Sequence, residues 1–255
     1  MIRQLTAVLA TLVVAAWTHA PPALALGDED DGTLGIVGRR DPRVLYAASV
    51  RERVVALTLD DAPDPATTPA LLTVLRRHEA RATFFVISER IRGNEPLLAE
   101  IVAQGHELGN HMERDEPSIE LDEDEFEVGL VRATRALTPF GKVRWFRPGS
   151  GYYDDAMLDI VERHGLRCAL GLVYPIDAHV PWSWFARTWI RWRVEAGAVI
   201  ILHDGGKTGA RTAETLDKVL PWLRERDYRV VTLTELARLE ETVRSEKMLR
   251  NGTTR

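Results

Sequence analysis

The chain has 255 residues, of which 45% are hydrophobic, and this is enough for one barrel-sized domain or two small ones with a substantial core. Its 33 basic and 38 acidic residues give a formal net charge of −5, so it lacks the basic surface that nucleic-acid binding requires. We therefore expect no nucleic-acid partner.

The N-terminus has the pattern of a secretory signal peptide. A basic start at Arg3 precedes an apolar run over residues 5–17. Ala23-Leu24-Ala25 then has the small-x-small pattern of a cleavage site, which places the candidate cleavage point before Leu26. The apolar run is shorter than the roughly 20 residues that a helix needs to cross a bilayer, so no stable membrane span is expected. The sequence predicts a signal peptide over residues 1–25 and a secreted, periplasmic or cell-envelope location, with an uncleaved signal anchor as the alternative.

Three further regions follow the signal peptide. Residues 26–50 are rich in Gly, acids and Arg with little periodicity, which predicts an N-terminal arm or linker. From residue 51 to residue 238, short apolar runs alternate with amphipathic windows, and we interpret this region as the catalytic domain. Residues 239–255 are polar and charged, which predicts a frayed tail.

The elements of the domain follow from these patterns. Apolar runs predict strands over residues 54–59, 82–87, 107–109, 143–146, 167–172, 198–202 and 229–232. Amphipathic windows predict helices over residues 68–78, 96–104, 122–137, 154–164, 184–195, 213–226 and 234–239. Asp122, with Glu125 three residues later, predicts a capping box. Strand–helix alternation is typical of a parallel sheet with crossover helices, but it does not distinguish an open sheet from a closed barrel.

The first predicted strand ends in two adjacent acids, Asp60 and Asp61, and then Pro63. The β-branched and apolar run before them indicates a buried strand that carries the acids to the mouth of a sheet or barrel, where α/β proteins place their chemistry. Aspartate is also a common turn former, so the pair alone is equally compatible with a simple turn.

Three later segments also follow predicted strands. They read Gly-His-Glu-Leu-Gly-Asn-His over 105–111, Trp-Phe-Arg-Pro-Gly-Ser-Gly over 145–151, and Val-Ile-Ile-Leu-His-Asp over 199–204. With the acids at 60–61, and in this order, they resemble the five-motif signature of the polysaccharide deacetylases, the carbohydrate esterase family 4 or NodB-homology enzymes. The resemblance implies an α/β fold, a distorted (β/α) barrel of about seven strands.

The resemblance also implies one divalent metal ion, zinc first, with cobalt or manganese as alternatives. An ion with an open coordination position polarises an acetamide carbonyl and activates water. By resemblance Asp61 and His111 are metal ligands, and Asp60 is the catalytic base. Where the family has a second histidine, four residues after His111, this chain has Asp115. A carboxylate there can still bind a divalent ion, whereas the alternative is a polar loop and a decayed metal site.

The remaining motifs imply catalytic roles. Arg147 matches the arginine that keeps the base charged through a bidentate ion pair with Asp60, although the proline of this motif has moved and glycines are inserted. The backbone of residues 149–151 could donate an N–H to the oxyanion or form a simple turn. His203 matches the general acid, and Asp177 falls where the fourth motif supplies a carboxylate that tunes that histidine.

Two other groups of side chains are assigned from their surroundings. Trp189 and Trp192 are three residues apart on a predicted helix, which indicates core packing, while Trp182 or Trp184 in the preceding loop is the candidate sugar platform. Cys168 is the only cysteine and lies in an apolar run, so we expect a buried, unpaired thiol. His106 is expected to be structural.

The resemblance implies a metal-dependent deacetylase that acts on N-acetylated amino sugars of a chitin- or peptidoglycan-type polysaccharide. Its expected partner is a carbohydrate polymer or oligosaccharide. Three alternatives stay open: a carbohydrate O-acetyl esterase, a metal-free carbohydrate-binding pseudoenzyme, and a deacylase of a small non-sugar amide.

Overall fold

A computed structural model of the chain describes residues 41–252. The expected signal peptide over residues 1–25 lies outside the described residues, as does the first part of the expected N-terminal arm. Within the described part of the chain, no helix is both long and apolar enough to span a membrane.

The strands form one seven-stranded sheet in which every pairing is parallel. They are β1 Val54–Ala62, β2 Ala82–Val86, β3 Glu107–Asn110, β4 Trp145–Phe146, β5 Arg167–Cys168, β6 Val199–His203 and β7 Arg229–Val231. The order is β5-β4-β3-β2-β1-β6, and β7 pairs with the start of β1. All the strands expected from the apolar runs are therefore present, although β4 and β5 are shorter than expected.

Helices connect the strands across the outside of the sheet. Over residues 41–252 they are α1 Thr68–Arg77, α2 Glu95–Ala103, α3 Glu123–Leu137, α4 Asp155–Arg163, α5 Ser183–Arg193, α6 Gly206–Arg224 and α7 Leu233–Gly252. The capping box expected at the start of α3 is confirmed, because the side chains of Asp122 and Glu125 each accept the other's backbone N–H.

Isolated bridges bring the two ends of the sheet together. Leu45 pairs with Ala169 after β5, Ala47 pairs with Ala198 before β6, and Val173 pairs with Ile200 within β6. The sheet therefore curls towards closure, and the expected distorted barrel is confirmed.

The expected boundary of the N-terminal arm at residue 50 is wrong in its last part. Leu45 and its neighbours Val44, Tyr46 and Ala48 are buried, and residues 45–47 help to close the barrel. This run is too short to show a strand period, and its partners lie more than 100 residues away, so its burial is invisible in the local sequence.

The core has two layers because β1 is covered on both faces. Leu57 and Leu59 pack outwards against residues of α1 and α6, while Val54 and Ala56 face inwards towards Phe85 and its neighbours. Such two-sided burial explains why β1 is almost continuously apolar rather than alternating. The strand is therefore a rigid support for the acids at its C-terminal end.

The C-terminal region also differs from expectation, since α7 continues to Gly252 instead of ending near Leu239 in a frayed tail. Leu233 and Leu236 anchor its first turns in the core. Farther along, Glu240 accepts the backbone N–H of Ser49, and Glu246 lies 2.6 Å from Arg51. These contacts with the residues before β1 hold a helix whose own sequence is too polar to indicate packing.

Candidate active site

The two acids at the end of β1 reach the same cavity. In a regular strand adjacent side chains point to opposite faces. Here the pairing of β1 with β2 is irregular between Leu59 and Ala62, and Asp61 has a left-handed backbone with φ 68°. As a result Asp60 and Asp61 both line a cavity of about 460 Å³.

This cavity collects most of the residues expected to form the site. Besides the two acids it is lined by His111, Asp115, Arg147 and His203. Asp177 lies behind His203 and contacts it directly. The parallel strands explain this convergence, because their C-terminal ends meet at one edge of the barrel.

Asp60 and Arg147 form a buried ion pair beneath the cavity. One guanidinium nitrogen, Nη1, lies 2.5 Å from Asp60 Oδ1 and also donates to Thr58 Oγ1 at 2.8 Å. Nε donates to the Ala169 carbonyl at 2.9 Å, and the guanidinium lies 4.1 Å from the centre of the Phe85 ring. These contacts fix the arginine under the expected base.

The expected bidentate geometry of this pair is wrong. Arg147 reaches Asp60 through Nη1 alone, and its Nη2 is buried with no hydrogen-bond partner among the described residues. The contact of Nε with Ala169 turns the guanidinium so that its two-nitrogen edge does not face the carboxylate.

Asp61 and His111 face each other at the cavity wall. His111 Nδ1 lies 2.8 Å from the Arg147 carbonyl, which only accepts, so Nδ1 carries the proton. In the neutral ring this leaves a lone pair on Nε2, which lies 3.7 Å from Asp61 Oδ1. Burial raises the pKa of Asp61, and the nearby His111 and His203 oppose this shift. One imidazole nitrogen and one carboxylate in this arrangement fit two ligands of a divalent metal ion.

Asp115 lines the cavity, but an arginine holds its side chain at the rim. The side chain is 63% exposed, and Oδ2 lies 3.3 Å from Arg90 Nη2. The other terminal nitrogen of Arg90 donates to the backbone carbonyl of Asp61 at 2.5 Å. Over residues 41–252 no group of three or more His, Cys, Asp or Glu side chains is placed to hold a metal ion. The donors in place therefore fit the ion through Asp61 and His111, without a third ligand beside them.

His203 and Asp177 form the second charged pair of the site. Asp177 accepts both the side-chain Nδ1–H and the backbone N–H of His203, each at 2.9 Å. Burial lowers the pKa of His203. The opposing effect is larger: Asp177 raises the pKa through its charge and its hydrogen bond, and the carboxylates of Asp60 and Asp61 add to this, so the pKa is about 9. The imidazole is therefore cationic at neutral pH, the form that a general acid needs.

Two residues of α6 support this pair and are not apparent from the sequence. Thr212 Oγ1 lies 3.3 Å from an Asp177 carboxylate oxygen, and Arg211 donates to the Asp177 carbonyl at 3.3 Å. They are separated from Asp177 by more than 30 residues, so only the folded chain reveals the contact.

The base and the acid are neighbours on adjacent strands. Asp60 and His203 are paired in the register of β1 and β6, and the Asp204 backbone N–H donates to the Asp60 carbonyl at 2.8 Å. Asp204 itself is buried and accepts hydrogen bonds from the hydroxyls of Thr67 and Thr68. It ties the strand end that carries His203 to the start of α1, a role that sequence reasoning missed although Asp204 directly follows the histidine.

Comparison with known proteins identifies the family. Residues 47–169 match the family described as polysaccharide deacetylase. The chain is 32% identical over 209 residues to the peptidoglycan-N-acetylglucosamine deacetylase of Bacillus cereus, a match that covers 76% of this chain and 93% of that relative. The chain belongs to the polysaccharide deacetylase family.

Solved structures related to this polysaccharide deacetylase include both an enzyme and a pseudoenzyme. A family 4 acetyl xylan esterase from Clostridium thermocellum, solved with a cobalt ion, has a TM-score of 0.68 and 28% identity, covering 73% of this chain and 91% of its own. Wild-type BA3943 from Bacillus anthracis, a family 4 pseudoenzyme, has a TM-score of 0.69 and 26% identity, covering 78% and 73%. Both agree with the distorted barrel.

The loop after β4 is where this polysaccharide deacetylase departs from the third motif. The backbone N–H of Gly149 donates to Ser118 Oγ at 2.8 Å, and that of Gly151 donates to the Pro148 carbonyl at 3.1 Å. These two groups are therefore already engaged and are not free donors for an oxyanion. A Cβ on Gly149 would lie 2.0 Å from the Glu116 carbonyl oxygen, so the inserted glycine is needed for close packing of this loop.

The tryptophans are arranged partly as expected. Trp182 and Trp184 are 54% and 51% exposed and their rings stack, with centroids 6.2 Å apart. Trp189 packs against the core as expected, but the core assignment of Trp192 is wrong, because its side chain is 72% exposed. The buried stripe of α5 runs through Ala186 and Ile190, and Trp192 lies outside it.

Proposed function

We propose that this protein is a divalent-metal-dependent hydrolase that removes acetyl groups from N-acetylated amino sugars of a chitin- or peptidoglycan-type polysaccharide. The observation that carries the proposal is that two charged pairs, Asp60 with Arg147 and His203 with Asp177, meet at one cavity. Asp60 supplies a carboxylate paired with the Arg147 guanidinium, and His203 with Asp177 supplies a protonated imidazole. A base and an acid whose environments favour opposite charge states are what hydrolysis of an amide requires.

Asp60 acts as the base in this proposal. Its carboxylate is buried against Arg147, which favours the charged form and fixes the side chain. The proton of the attacking water passes to Asp60 as the new C–O bond forms at the acetyl carbon. A divalent ion bound by Asp61 and His111 would polarise the acetyl carbonyl and the water. Asp115 would serve as a third ligand only after its side chain leaves Arg90 and turns into the cavity.

His203 acts as the acid. Its Nδ1–H is held by Asp177, so the ring is fixed and Nε2 is the nitrogen left to exchange a proton with substrate. The proton passes to the sugar nitrogen as the C–N bond breaks, which releases acetate and a free amine. Burial lowers the pKa of His203, but its carboxylate neighbours outweigh this effect and raise the pKa to about 9, so the imidazole holds this proton through neutral pH.

The proposed place of action is outside the cytoplasm. The apolar run and the small-residue cleavage pattern at the N-terminus support export of the mature protein from about residue 26. Sequencing the N-terminus of extracellular or periplasmic material tests this step, and recovery of the form that begins with Met1 in the cytosol contradicts it.

An acetate-release screen tests the proposed chemistry. Purified protein supplied with Zn²⁺, Co²⁺ or Mn²⁺ is offered N-acetylated chito-oligosaccharides, peptidoglycan, acetylated xylan and a small non-sugar acetamide. Release from the N-acetylated glycans supports the deacetylase. Preferred release from xylan supports the O-acetyl esterase, and preferred turnover of the small amide supports a non-sugar deacylase.

A catalytically impaired, carbohydrate-binding protein is the second candidate. It is favoured by the position of Asp115, whose contact with Arg90 leaves Asp61 and His111 without a third ligand beside them among the described residues. Tight glycan binding by a protein that neither binds metal nor releases acetate distinguishes this candidate from the enzyme.

A further inference from the structure

A continuous row of aromatic rings lies on α5 and the residue before it. Trp182, Trp184, Phe185, Trp189 and Trp192 contact one another in sequence, with centroid distances of 6.2, 6.1, 5.9 and 5.7 Å. We call this row the aromatic ridge. Each ring is fixed by its neighbour, so the ridge is a preorganised surface rather than a set of independent side chains.

The outer part of the aromatic ridge is exposed and lies outside the core. Trp184 and Trp192 lie eight residues apart with the exposed Thr188 midway between them, so all three share one face of the helix. Trp182, Trp184 and Trp192 are all more than half exposed. Large apolar side chains grouped in this way on a surface mark a binding site.

Positive charge flanks the aromatic ridge, and within residues 41–252 two of the three arginines of α5 have no carboxylate partner. The sequence of α5 contains three arginines and no acidic residue. Arg187 pairs with Glu214, but Arg191 contacts the Lys218 carbonyl, and Arg193 lies over the Trp192 ring at 5.5 Å. Within residues 41–252 neither Arg191 nor Arg193 forms a salt bridge, so both guanidinium groups remain available to an acidic ligand.

The ridge begins at the edge of the catalytic cavity. His179 lines the cavity, and Trp182 follows three residues later, a separation of at most about 11 Å along the chain. The backbone N–H groups of His179 and Val180 both donate to the Ile176 carbonyl, which holds this connection in a tight turn. A polymer that leaves the cavity past His179 therefore passes close to Trp182 and to Trp184, which stacks on it.

We propose that the aromatic ridge binds the glycan strand beyond the sugar that enters the cavity, and that this strand carries carboxylates, as a peptidoglycan-type strand does. The identity of the polymer rests on the proposed function. Exposed indole faces stack on the apolar C–H faces of sugar rings, and Arg191 and Arg193 bind the carboxylates. The adjoining cavity favours a glycan over a lipid surface or a second copy of the chain, since neither of these must extend from the reaction centre.

The test compares full-length variants in which the ridge is truncated. Trp182→Ala/Trp184→Ala and Trp192→Ala are assayed by co-sedimentation with insoluble peptidoglycan and with chitin, and Met248→Ala, which removes an exposed apolar side chain of α7, is the matched control. We expect affinity for peptidoglycan to fall about tenfold in each ridge variant and to stay at the wild-type value in the control. Arg191→Gln/Arg193→Gln should weaken binding to peptidoglycan more than binding to neutral chitin.

Three results overturn the inference. The first is wild-type affinity for peptidoglycan in the ridge variants. The second is that these variants lose binding to anionic lipid vesicles instead of peptidoglycan, and the third is that they lose a dimer that the wild type forms in sedimentation velocity. Acetate release separates the inference from the proposed function. If the wild type releases no acetate from any glycan while the ridge variants lose peptidoglycan binding, the proposed function fails and the inference stands. If acetate is released and the ridge variants bind peptidoglycan normally, only the inference fails.

Discussion

Arg147 Nη1 lies 2.5 Å from Asp60 Oδ1, and both side chains are buried beneath the catalytic cavity. A buried carboxylate is tolerated when a partner compensates its charge, and it becomes a large cost when that partner is removed. The same contact therefore supports the fold and holds the proposed base in position.

Arg147→Met should lower the free energy of unfolding by about 3–5 kcal/mol, because it leaves Asp60 buried and unpaired. Urea denaturation at neutral pH measures this loss. The double variant Asp60→Asn/Arg147→Met should regain a large part of it, since no uncompensated charge remains, while still lacking activity. A double variant no more stable than Arg147→Met would show that the ion pair does not account for the loss.

His203→Ala should lower kcat by about 10²–10⁴-fold and change KM little, because a general acid acts mainly in the transition state. Asp177→Asn should lower kcat by a smaller factor, since the imidazole stays in place but loses the carboxylate that orients and charges it. Steady-state acetate release measures both. A near-wild-type rate in His203→Ala would remove the histidine from the mechanism.

Asp115→Ala should weaken metal binding, and Asp115→His should shift metal preference from Mn²⁺ towards Zn²⁺, because imidazole is a softer ligand than carboxylate. Metal content after dialysis against each ion measures both effects. Glu113→Ala is the matched control, because it also removes a carboxylate from this loop. The Glu113 carboxylate contacts Arg132 rather than Arg90. Unchanged metal affinity in Asp115→Ala would place Asp115 outside the coordination sphere and favour the pseudoenzyme candidate.

His106 should make the protein acid-sensitive. It is buried, its Nδ1 accepts the Ala82 backbone N–H at 3.2 Å, and burial, together with the charge of Arg81, lowers its pKa from 6.5 to about 4. The folded state thus favours the neutral ring, so this contribution to stability is complete above about pH 6.5 and is lost as the pH falls towards 4.

His106→Asn retains an acceptor for Ala82 but does not titrate. Over the same pH interval the variant should lose less free energy of unfolding than the wild type, by a difference on the order of 3 kcal/mol. Denaturation curves at pH 7 and pH 4 give the two losses. Parallel losses in both proteins would mean that His106 does not titrate on unfolding.

The sequence predicts the elements of the barrel well because burial acts on contiguous residues. β1 is covered on both faces, so its sequence is a nearly unbroken apolar run. The start of α3 is marked by the capping box of Asp122 and Glu125. The sequence does not predict the closing contacts of residues 44–48 or the extension of α7 to Gly252, because distant partners stabilise both.

In the candidate site, too, some features are predicted by the sequence and others depend on contacts with distant residues. The order of the motifs predicts that Asp60, His111 and His203 converge, since each lies at the C-terminal end of a parallel strand. It does not predict that Arg90 holds Asp115 at the rim or that Arg147 meets Asp60 through one nitrogen, because side-chain orientation depends on neighbours from other elements. Trp192 is a similar case, as its spacing from Trp189 fixes neither its burial nor its partner.

The most direct test of the account is acetate release from an N-acetylated glycan by the purified, metal-supplied protein, with Asp60→Asn measured in parallel. The account predicts stoichiometric release of acetate and free amine by the wild type, and a large loss of turnover in Asp60→Asn, which keeps its metal because Asp61 and His111 are untouched. No acetate from any N-acetylated glycan with metal bound, or equal turnover in Asp60→Asn, would contradict it.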